Sequence, residues 1–261
     1  MKKLFLFLVM VTCIAFPLRA QTINIDADKQ VEWHRNEQKI IASGNAVATK
    51  NGSTLHGSTI TAFYEKVQLE DGTQKTQLQK ILSDGNVKLE MNKSTAFGEH
   101  FSYDLPTLQA KLTGNPAKIE NDTGTLTATQ SITYDAKALK STALGEVIAR
   151  NPDYTIYANK MVSYFDEDKK GQKTLNHVDI FGEKNPIKIV NKQAVVTGAR
   201  GTYFPSENKL KIYDNVVITQ DENILKGDYA ETDLKTGISR LLSTQQKGGR
   251  VSGVFHSKKK K

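Results

Sequence analysis

The stretch SITYDAKALKSTALGEVIARN, Ser131–Asn151, alternates apolar and polar residues, turns, and alternates again through a central glycine. Similar stretches precede it, HFSYDLPTLQAKLTGNPAKIEN at His100–Asn121, and follow it, RGTYFPSENKLKIYDNVVITQDEN at Arg200–Asn223. Alternation with a period of two, interrupted by turn residues, is typical of short β-strands. Because the chain repeats this pattern along its length, we expect a fold built from repeated strand units.

Each repeat can be located by a small residue that follows an apolar residue by two positions. Ala or Gly occupies this place at positions 27, 57, 98, 128, 158, 198 and 227, with spacings of 30, 41, 30, 30, 40 and 29. The two longer steps contain the polar insertions EKVQLEDGTQKTQ and DEDKKGQKT, which are predicted to be hairpin extensions. Positions 27, 57, 98 and 128 map onto 128, 158, 198 and 227 with an offset of 99 to 101, which indicates an internal duplication.

A second element lies between these small residues, as in SGNAVAT, DGNVKLE, LGEVIAR and YDNVVIT. It predicts a strand that is entered through a bend or bulge. Helical spacing of apolar residues is absent after residue 20, and Thr, Val, Ile and Tyr recur with a period of two. We therefore predict an all-β fold in which stacked repeats of about 30 residues form two facing sheets. The small residue of each repeat either leaves room between the sheets or marks a tight bend.

The N-terminus, MKKLFLFLVMVTCIAFPLRA, has two lysines, an apolar run from Leu4 to Leu18 and a final alanine. This is typical of a secretory signal peptide at 1–20, because the apolar run is shorter than the roughly 20 residues of a membrane-spanning helix. Cys13 is the single cysteine and lies in this segment, so the exported chain would hold together without disulfides. We expect a bacterial periplasmic protein.

The net charge of +8 falls to +1 when the three basic residues of the signal peptide and Lys258–Lys261 are set aside. This balance argues against a nucleic-acid-binding protein. The terminal lysines either form a solvated tail or contact an anionic partner. The predicted organisation is a signal peptide (1–20), a first unit (21–122), a second unit (123–245) and a basic flexible tail (246–261).

Four stretches carry a recognisable pattern: INIDADKQVEW, ASGNAVATKNGSTLHGSTITAFY, LTGNPAKIEN and ILKGDYAETDLKTG. They resemble the LptA/OstA family of periplasmic lipopolysaccharide-transport proteins, over about Thr22 to Leu242, with two family-like units. The resemblance implies an open, slightly twisted β-jellyroll that is not an enzyme. It also implies that the protein forms part of a bridge that carries lipopolysaccharide from an inner-membrane transporter complex to an outer-membrane translocon. The acyl chains of lipid A would lie in an apolar groove between the sheets.

The predicted lipid groove is lined by apolar residues that recur on one phase of their strands and are expected to share one face. These residues are Ile25, Val31, Trp33, Leu55, Phe63, Leu126, Ile132, Tyr134, Ile156, Val162, Tyr164, Val196, Phe204 and Leu225. For each of them a filled core is the alternative to a groove. A filled core and a groove are compatible with each other if the two sheets are packed at their base and open at their rim.

The two ends of such an open stack present unpaired strand edges, at Ile23–Ala27 and near Leu225–Leu242. An exposed edge is a template for strand addition. The transporter complex, the translocon or a second copy of this chain are the expected partners, and a second copy would give head-to-tail assembly.

The sequence offers no pattern for a catalytic site, a metal or a cofactor. The five histidines are scattered, and DEDKKG at Asp166 fails as a calcium loop because His177 stands at its twelfth position. Phosphate-binding and dinucleotide-binding fingerprints are also missing from the sequence. Three hypotheses remain: a lipopolysaccharide carrier, a structural β-solenoid such as a filament or adhesin segment without lipid, and an envelope enzyme or assembly factor.

Overall fold

The computed structural model describes residues 23–70, 72–234, 236, 238–243 and 251–254. The predicted signal peptide and Lys258–Lys261 lie outside these residues. Every helix or strand in the described part of the chain is a β-strand, so the prediction of an all-β fold is confirmed. None of the described residues belongs to a helix long and apolar enough to cross a membrane.

The strands pair antiparallel with one another. In chain order they are β1 (Asn24–Asp26), β2 (Gln30–His34), β3 (Lys39–Lys50), β4 (Ser53–Gln68), β5 (Gln74–Met91), β6 (Ser94–Asp104), β7 (Gln109–Thr113), β8 (Ala117–Asn121), β9 (Gly124–Ala128), β10 (Ser131–Asp135), β11 (Lys140–Arg150), β12 (Tyr154–Glu167), β13 (Lys173–Phe181), β14 (Ile187–Asn191), β15 (Val195–Gly198), β16 (Arg200–Phe204), β17 (Lys209–Gln220), β18 (Asn223–Asp233), β19 (Ser239–Leu242) and β20 (Ser252–Val254).

The chain divides into two compact units. The N-terminal unit contains the described residues up to Asp122 together with Ala128–Ser141. The C-terminal unit contains Thr123–Thr127 and the described residues from Thr142 onward. Most of β9 therefore belongs to the C-terminal unit, whereas β10 belongs to the N-terminal unit. Ser252–Val254, which the sequence analysis assigned to the basic tail, forms β20 and pairs with β18 in the C-terminal unit.

Long strands of the N-terminal unit bend in the middle and contribute to two layers. In β5, residues 80–84 pair with 100–104 of β6, and residues 87–91 pair with 94–98. Strands β3 and β4 are divided in the same way. Layer A contains the first half of β3 and β5, the second half of β4 and β6, and β2, β7 and β10. Layer B contains the remaining halves with β1 and β8.

The bends are made by residues with left-handed backbone dihedrals. The pairing register shifts between Ser43 and Ala46 in β3 and between Asp84 and Val87 in β5. Glycines at positions 44 and 85 occupy these shifts with φ of 86° and 75°, and each is followed by an asparagine with positive φ. Glycine populates this region without steric cost, and asparagine tolerates it. The Gly-Asn pairs of the sequence therefore place the bulges that lead a strand from layer A to layer B.

The C-terminal unit repeats this layout. Its layer A contains β13, β16 and β19 with the adjoining halves of β12, β17 and β18, and its layer B contains β14, β15 and β20 with the other halves. Strands β9 and β11 also pair within this unit. The bend of β17 falls at Asp214 and Asn215, whose φ values are 62° and 54°. Aspartate is another side chain that adopts this conformation more readily than most.

Residues paired directly across antiparallel strands point to the same side of a layer, so the register shows which side chains face the interior. In layer A of the N-terminal unit one buried row is Ile60, Ser83, Phe101 and Leu112. Its counterpart in the C-terminal unit is Met161, Ile180, Gly201 and Ile212. We call this side of each layer inward and the other side outward. Each unit is thus a β-jellyroll of two facing layers, as predicted.

Candidate functional site

Two half-open apolar cavities lie between the layers of the N-terminal unit. The inner cavity has a volume of about 60 Å³, and the rim cavity has a volume of about 40 Å³. The inner cavity is lined by Leu89, Met91, Ala96, Phe101, Tyr103, Ala110, Leu112, Ile119, Ile132, Thr133, Tyr134, Ala136 and Ser141. The rim cavity is lined by Ile23, Ala48, Thr49, Lys50, Ser53, Leu55, Ile81, Leu89, Phe101 and Tyr103.

Three side chains, Leu89, Phe101 and Tyr103, line both cavities and therefore form the wall between them. Each is 6% exposed or less. Leu89 belongs to layer B, whereas the two aromatic residues belong to the layer A half of β6.

A corresponding cavity in the C-terminal unit, which we call the C-unit cavity, has a volume of about 30 Å³. It is lined by Ala149, Asn151, Tyr154, Ile156, Met161, Val178, Ile180 and Tyr203. The offset of the sequence duplication aligns five of these eight residues with residues that line the rim cavity. The aligned pairs are Ala48 with Ala149, Lys50 with Asn151, Ser53 with Tyr154, Leu55 with Ile156, and Tyr103 with Tyr203.

Cavity volume limits what the interior can hold without rearrangement. Small-molecule sites usually occupy roughly 300–1,000 Å³. All three cavities are much smaller, so an acyl chain enters only if side chains rotate or the layers move apart. Because nearly all the lining side chains are apolar, an acyl chain would exchange dispersion contacts between side chains for similar contacts with itself.

Burial shifts the pKa of two groups on the cavity walls. Lys50 is half-buried at the rim cavity, and burial lowers the pKa of its ammonium group. Burial also raises the pKa of the Tyr203 hydroxyl, on the wall of the C-unit cavity, to about 12. Burial is the largest cause of both shifts, since removal from water disfavours the charged form of any group.

Asn151 occupies the place of Lys50 in the C-unit cavity and has a different role. Its side-chain oxygen Oδ1 accepts hydrogen bonds from the backbone N–H groups of Asp153, at 2.9 Å, and Tyr154, at 2.6 Å. These bonds close the turn between β11 and β12, as Asn side chains commonly do. At this aligned position the rim cavity therefore has a cation, whereas the C-unit cavity has a neutral amide that caps a turn.

The structure brings ten of the residues predicted to line a lipid groove to the inward side and places four on the outward side. The inward residues are Ile25, Val31, Trp33, Leu55, Leu126, Ile132, Tyr134, Ile156, Val196 and Leu225. The outward residues are Phe63, Val162, Tyr164 and Phe204. That any of these residues contacts lipid stays a prediction.

The change of side arises within the long strands. In β4, Leu55 faces inward before the register shift between His56 and Thr59, and Ala62 faces inward after it, so Phe63 points outward. In the C-terminal unit the outward Tyr164 stacks on His177 with ring centroids 4.4 Å apart. His177 in turn stacks on Phe204 at 5.9 Å. The aromatic residue that follows the small residue of a repeat can therefore belong to the outward side of layer A.

Sequence reasoning missed several residues that form the cavity walls. Phe101, Tyr103 and Tyr203 are buried and inward, whereas the sequence analysis did not place them among the residues that line the groove. The two tyrosines stand 100 positions apart in SYD and TYF, and that recurrence was the available signal. Lys50 gave no such signal, because a lysine beside an Asn-Gly turn is normally solvated.

The small residues of the repeats provide room for neighbouring side chains. A Cβ atom added at Gly98 would lie 2.7 Å from Cδ1 of Leu112, and one added at Gly198 would lie 2.5 Å from Cγ2 of Ile212. The glycines with positive φ in the described backbone do not include these two. Close packing of the inward side, and not a left-handed turn, therefore explains both glycines.

Groups of His, Cys, Asp or Glu side chains that could hold a metal ion are absent from the described residues.

Comparison with known proteins identifies the family. The model of the family described as LptA/(LptD N-terminal domain) LPS transport protein matches residues 24–140 and 127–238. A search of the curated proteins found no match. The crystal structure of LptH, the LptA homologous periplasmic component of the conserved lipopolysaccharide transport device from Pseudomonas aeruginosa, is similar at 17% identity and a TM-score of 0.43. The similarity covers 51% of this chain and 94% of that chain. Since the family model matches most of its length, twice in succession, this chain belongs to the LptA/(LptD N-terminal domain) family of lipopolysaccharide transport proteins.

Proposed function

We propose that this protein carries lipopolysaccharide through the periplasm, with the acyl chains of lipid A held between layers A and B. The observation that carries the proposal is the set of apolar inward rows that each of the two units contains, in a chain of this transport family. Burial of apolar surface stabilises a bound chain by about 25 cal/mol per Å². Each acyl chain therefore gains free energy along the whole length that it inserts.

The wall between the inner and rim cavities is where such a chain would open the N-terminal unit. Leu89, Phe101 and Tyr103 separate two volumes that together remain below that of an ordinary ligand site. In the proposed carrier these side chains rotate as the acyl chain enters and return as it leaves. Transport of this kind is binding and release without a covalent step, so it is not enzymatic.

The strand edges support assembly into a bridge. Among the described strands, β1 and β2 pair only with β3, and β19 and β20 pair only with β18. Val31 and Trp33 on β2 face inward yet are 52% and 60% exposed. An added strand would cover these side chains and satisfy the free backbone groups. We propose that the edges add a strand from the inner-membrane transporter complex, the outer-membrane translocon or a second copy placed head to tail.

A structural β-solenoid without lipid is the second candidate. The small volumes of the three cavities favour it, because a filled interior stabilises a repeat fold without leaving room for a ligand. The two functions differ in one observable, which is whether lipid reaches the inward side chains.

In-cell photo-crosslinking tests the proposal with matched inward and outward positions. A photoreactive amino acid would replace the inward Phe101 or Tyr203, with the outward Phe63 and Phe204 as controls. We expect lipopolysaccharide adducts at the two inward positions and none at the outward ones. Exported, folded variants that give no adduct at either inward position would overturn the carrier and leave the structural solenoid. Adducts at all four positions would indicate surface association instead of a groove.

A further inference from the structure

We propose that the hydroxyl group of Ser94 recognises an acyl chain that carries a hydroxyl group near its carboxyl end, through a hydrogen bond formed beside the inner cavity. This proposal rests on the proposed function, because it requires that an acyl chain enters between the layers. It adds selection among acyl chains to a site whose other contacts are nearly all apolar.

Ser94 lies on the inward side of layer B, next to the inner cavity. It is the first residue of β6 and pairs with Met91 across the turn of residues 92 and 93. Met91 and Ala96, which follows Ser94 by two positions, both line the inner cavity. Directly paired residues have Cβ atoms about 4.5–5.5 Å apart, and residues two apart on a strand share a face. The side chain of Ser94 therefore faces the interior beside these two residues.

The hydroxyl group of Ser94 is buried and makes no hydrogen bond within the described part of the chain. The residue is 5% exposed, and its Oγ atom finds no donor or acceptor there. A buried hydroxyl group without a partner costs free energy, because it has given up its hydrogen bonds to water. An oxygen atom brought in by a ligand would supply the missing bond, whereas a plain methylene chain would not.

The other two buried serines among the described residues bond within the fold. The Oγ atom of Ser83 donates to the backbone oxygen of His56 at 3.3 Å. The Oγ atom of Ser141 donates to the backbone oxygen of Thr133 at 3.0 Å. Their hydroxyl groups are thus part of the structure of the sheets, and Ser94 differs from both.

The duplicated unit shows that the turn does not require this hydroxyl group. When the glycines at 98 and 198 are aligned, Ala194 stands where the N-terminal unit has Ser94. The backbone N–H group of Ala194 donates to Oδ1 of Asn191 at 2.6 Å, and that of Asn191 donates to the backbone oxygen of Ala194 at 3.0 Å. A methyl side chain is therefore sufficient for the fold at this place. A hydroxyl group that the fold does not need, and that is costly without a partner, fits a role in binding.

The layout of the layers indicates which end of an acyl chain meets Ser94. Because the long strands cross from one layer to the other at their bends, the layers are joined along that side. The turn of residues 92 and 93 lies at the opposite end of layer B and is exposed. A carboxylate stays in water at this end, since burial of an unpaired charge is costly. The carbons next to the carboxylate would therefore lie beside Ser94, with the tail deeper between the layers.

Binding of two isomeric hydroxy acids to the whole exported chain tests the proposal. Dodecanoate, 3-hydroxydodecanoate and 12-hydroxydodecanoate would be titrated by calorimetry below their micelle-forming concentrations. The variants are Ser94→Ala and Ser94→Cys, with Ser102→Ala on the outward side of the same strand as the matched control. Circular dichroism verifies that each variant is folded, and Ser94→Cys replaces Ser94→Ala if the latter fails to fold.

We expect wild type to bind 3-hydroxydodecanoate more tightly than its 12-hydroxy isomer. Ser94→Ala should reduce the ratio of the two affinities by about three- to tenfold, which is the usual contribution of one neutral hydrogen bond. Ser94→Cys should act in the same direction, because a thiol forms only weak hydrogen bonds. Ser102→Ala should leave the ratio unchanged, and dodecanoate should bind Ser94→Ala as tightly as wild type.

Thermal unfolding without any ligand gives an independent check on the hydroxyl group. Ser94→Ala should unfold at the same temperature as wild type or above it, because the variant loses a buried polar group that has no partner. A midpoint several degrees lower would show that the hydroxyl group is bonded inside the fold, and would overturn its assignment to a ligand.

The titrations separate failure of this proposal from failure of the carrier. Equal isomer ratios in wild type and Ser94→Ala, with all three acids bound, would overturn the role of Ser94 and leave the carrier proposal standing. Equal losses of both isomers in Ser94→Ala would overturn recognition near the carboxyl end. If none of the three acids bound to wild type, the carrier proposal would fall as well.

Discussion

The inward rows of layer A occupy the same places in the two units and hold different side chains. Ser83 is followed across the strands by Phe101 in the N-terminal unit, whereas Ile180 is followed by Gly201 in the C-terminal unit. The large side chain has moved to the neighbouring strand, and the row remains buried in both cases. Cores tolerate such exchanges when the total volume is kept. The duplication therefore conserves the backbone and the filled volume more strictly than the residue at each position.

At the mouths of the rim cavity and the C-unit cavity, the two units differ in the charge of a side chain. Lys50 stands where the C-terminal unit has Asn151, although the surrounding alanine and aliphatic positions are aligned. A side chain at the rim is constrained by the fold on one side only, so it is free to change with function. Differences between duplicated units are therefore most informative at the polar ends of their cavities.

The largest expected effect comes from truncating the last residue of each inward row. Ile212 fills the space left by Gly198 and lies near Gly201, whereas Leu112 packs beside Phe101 and Gly98. Ile212→Ala and Leu112→Ala should each cost about 2–5 kcal/mol of unfolding free energy. We expect the isoleucine variant at the upper end, since two glycines cannot collapse into the space, and the leucine variant at the lower end, because Phe101 can.

Urea unfolding with hydrogen exchange resolved by peptide measures both variants of the inward rows. Val217→Ala, on the outward side of β17, is the control and should cost no more than about 1 kcal/mol. Equal costs for the two core variants would mean that Phe101 does not relax into the space. The different distribution of side-chain volume in the two rows would then have no effect on stability.

The next effect concerns the small residues of the repeat. An alanine Cβ at Gly98 would lie 2.6 Å from the backbone oxygen of Thr113, whereas at Gly198 the closest atom is a methyl group of Ile212 at 2.5 Å. Gly98→Ala and Gly198→Ala should destabilise the protein by about 1–3 kcal/mol, with the larger loss at Gly98, because a paired backbone cannot move aside. Thermal unfolding of the two variants side by side checks the order, and a neutral Gly98→Ala would contradict the packing role of this position.

The architecture could be predicted from the sequence, because short local motifs and periodic patterns of residues determine it. The repeat spacing located the small residues at 98 and 198, and the Gly-Asn pairs located the bulges at 44 and 85. These signals depend on steric limits of single residues, which apply whatever the rest of the chain does.

The side that each groove residue faces could not be predicted in the same way. The phase of the inward side chains changes within β4, where the pairing register shifts against both neighbouring strands. Leu55 lies before this shift and faces inward, whereas Phe63 lies after it and faces outward, although the uncorrected pattern put both on one face. The wall of Leu89, Phe101 and Tyr103 was also beyond sequence reasoning, because it joins residues from the two layers.

A smaller effect on stability is expected at alkaline pH from the ionisation of Tyr203, which lines the C-unit cavity. Burial raises the pKa of Tyr203 from 10.0 to about 12, so the folded state favours the neutral hydroxyl. This contribution to stability is complete below pH 10 and is lost as the pH rises through 12. Tyr203→Phe should therefore lose less stability than wild type over that interval. Urea midpoints measured at rising pH, with tyrosinate absorbance followed in parallel, check the difference, and identical slopes would contradict it.

The smallest expected effect lies on the outward side, where the units differ in their aromatic content. Tyr164 stacks on His177 in the C-terminal unit, with ring centroids 4.4 Å apart, whereas the corresponding Phe63 pairs with Lys39 and Lys80. A double-mutant cycle of Tyr164→Ala and His177→Ala should give a coupling of about 0.5–1.5 kcal/mol. The cycle of Phe63→Ala and Lys80→Ala should give roughly 0.2–1 kcal/mol, as cross-strand pairs do.

Urea unfolding of the single and double variants of Tyr164–His177 and Phe63–Lys80 measures both couplings. A positive coupling for Tyr164 and His177 would explain why aromatic residues recur in the sequence at positions that do not face the interior, since the stack then stabilises the sheet from outside. A coupling of zero in a folded protein would remove that explanation. A binding partner would then have to account for the outward aromatic residues of the C-terminal unit. In that case the difference between the two units that matters would lie on their outer surfaces and not in their cavities.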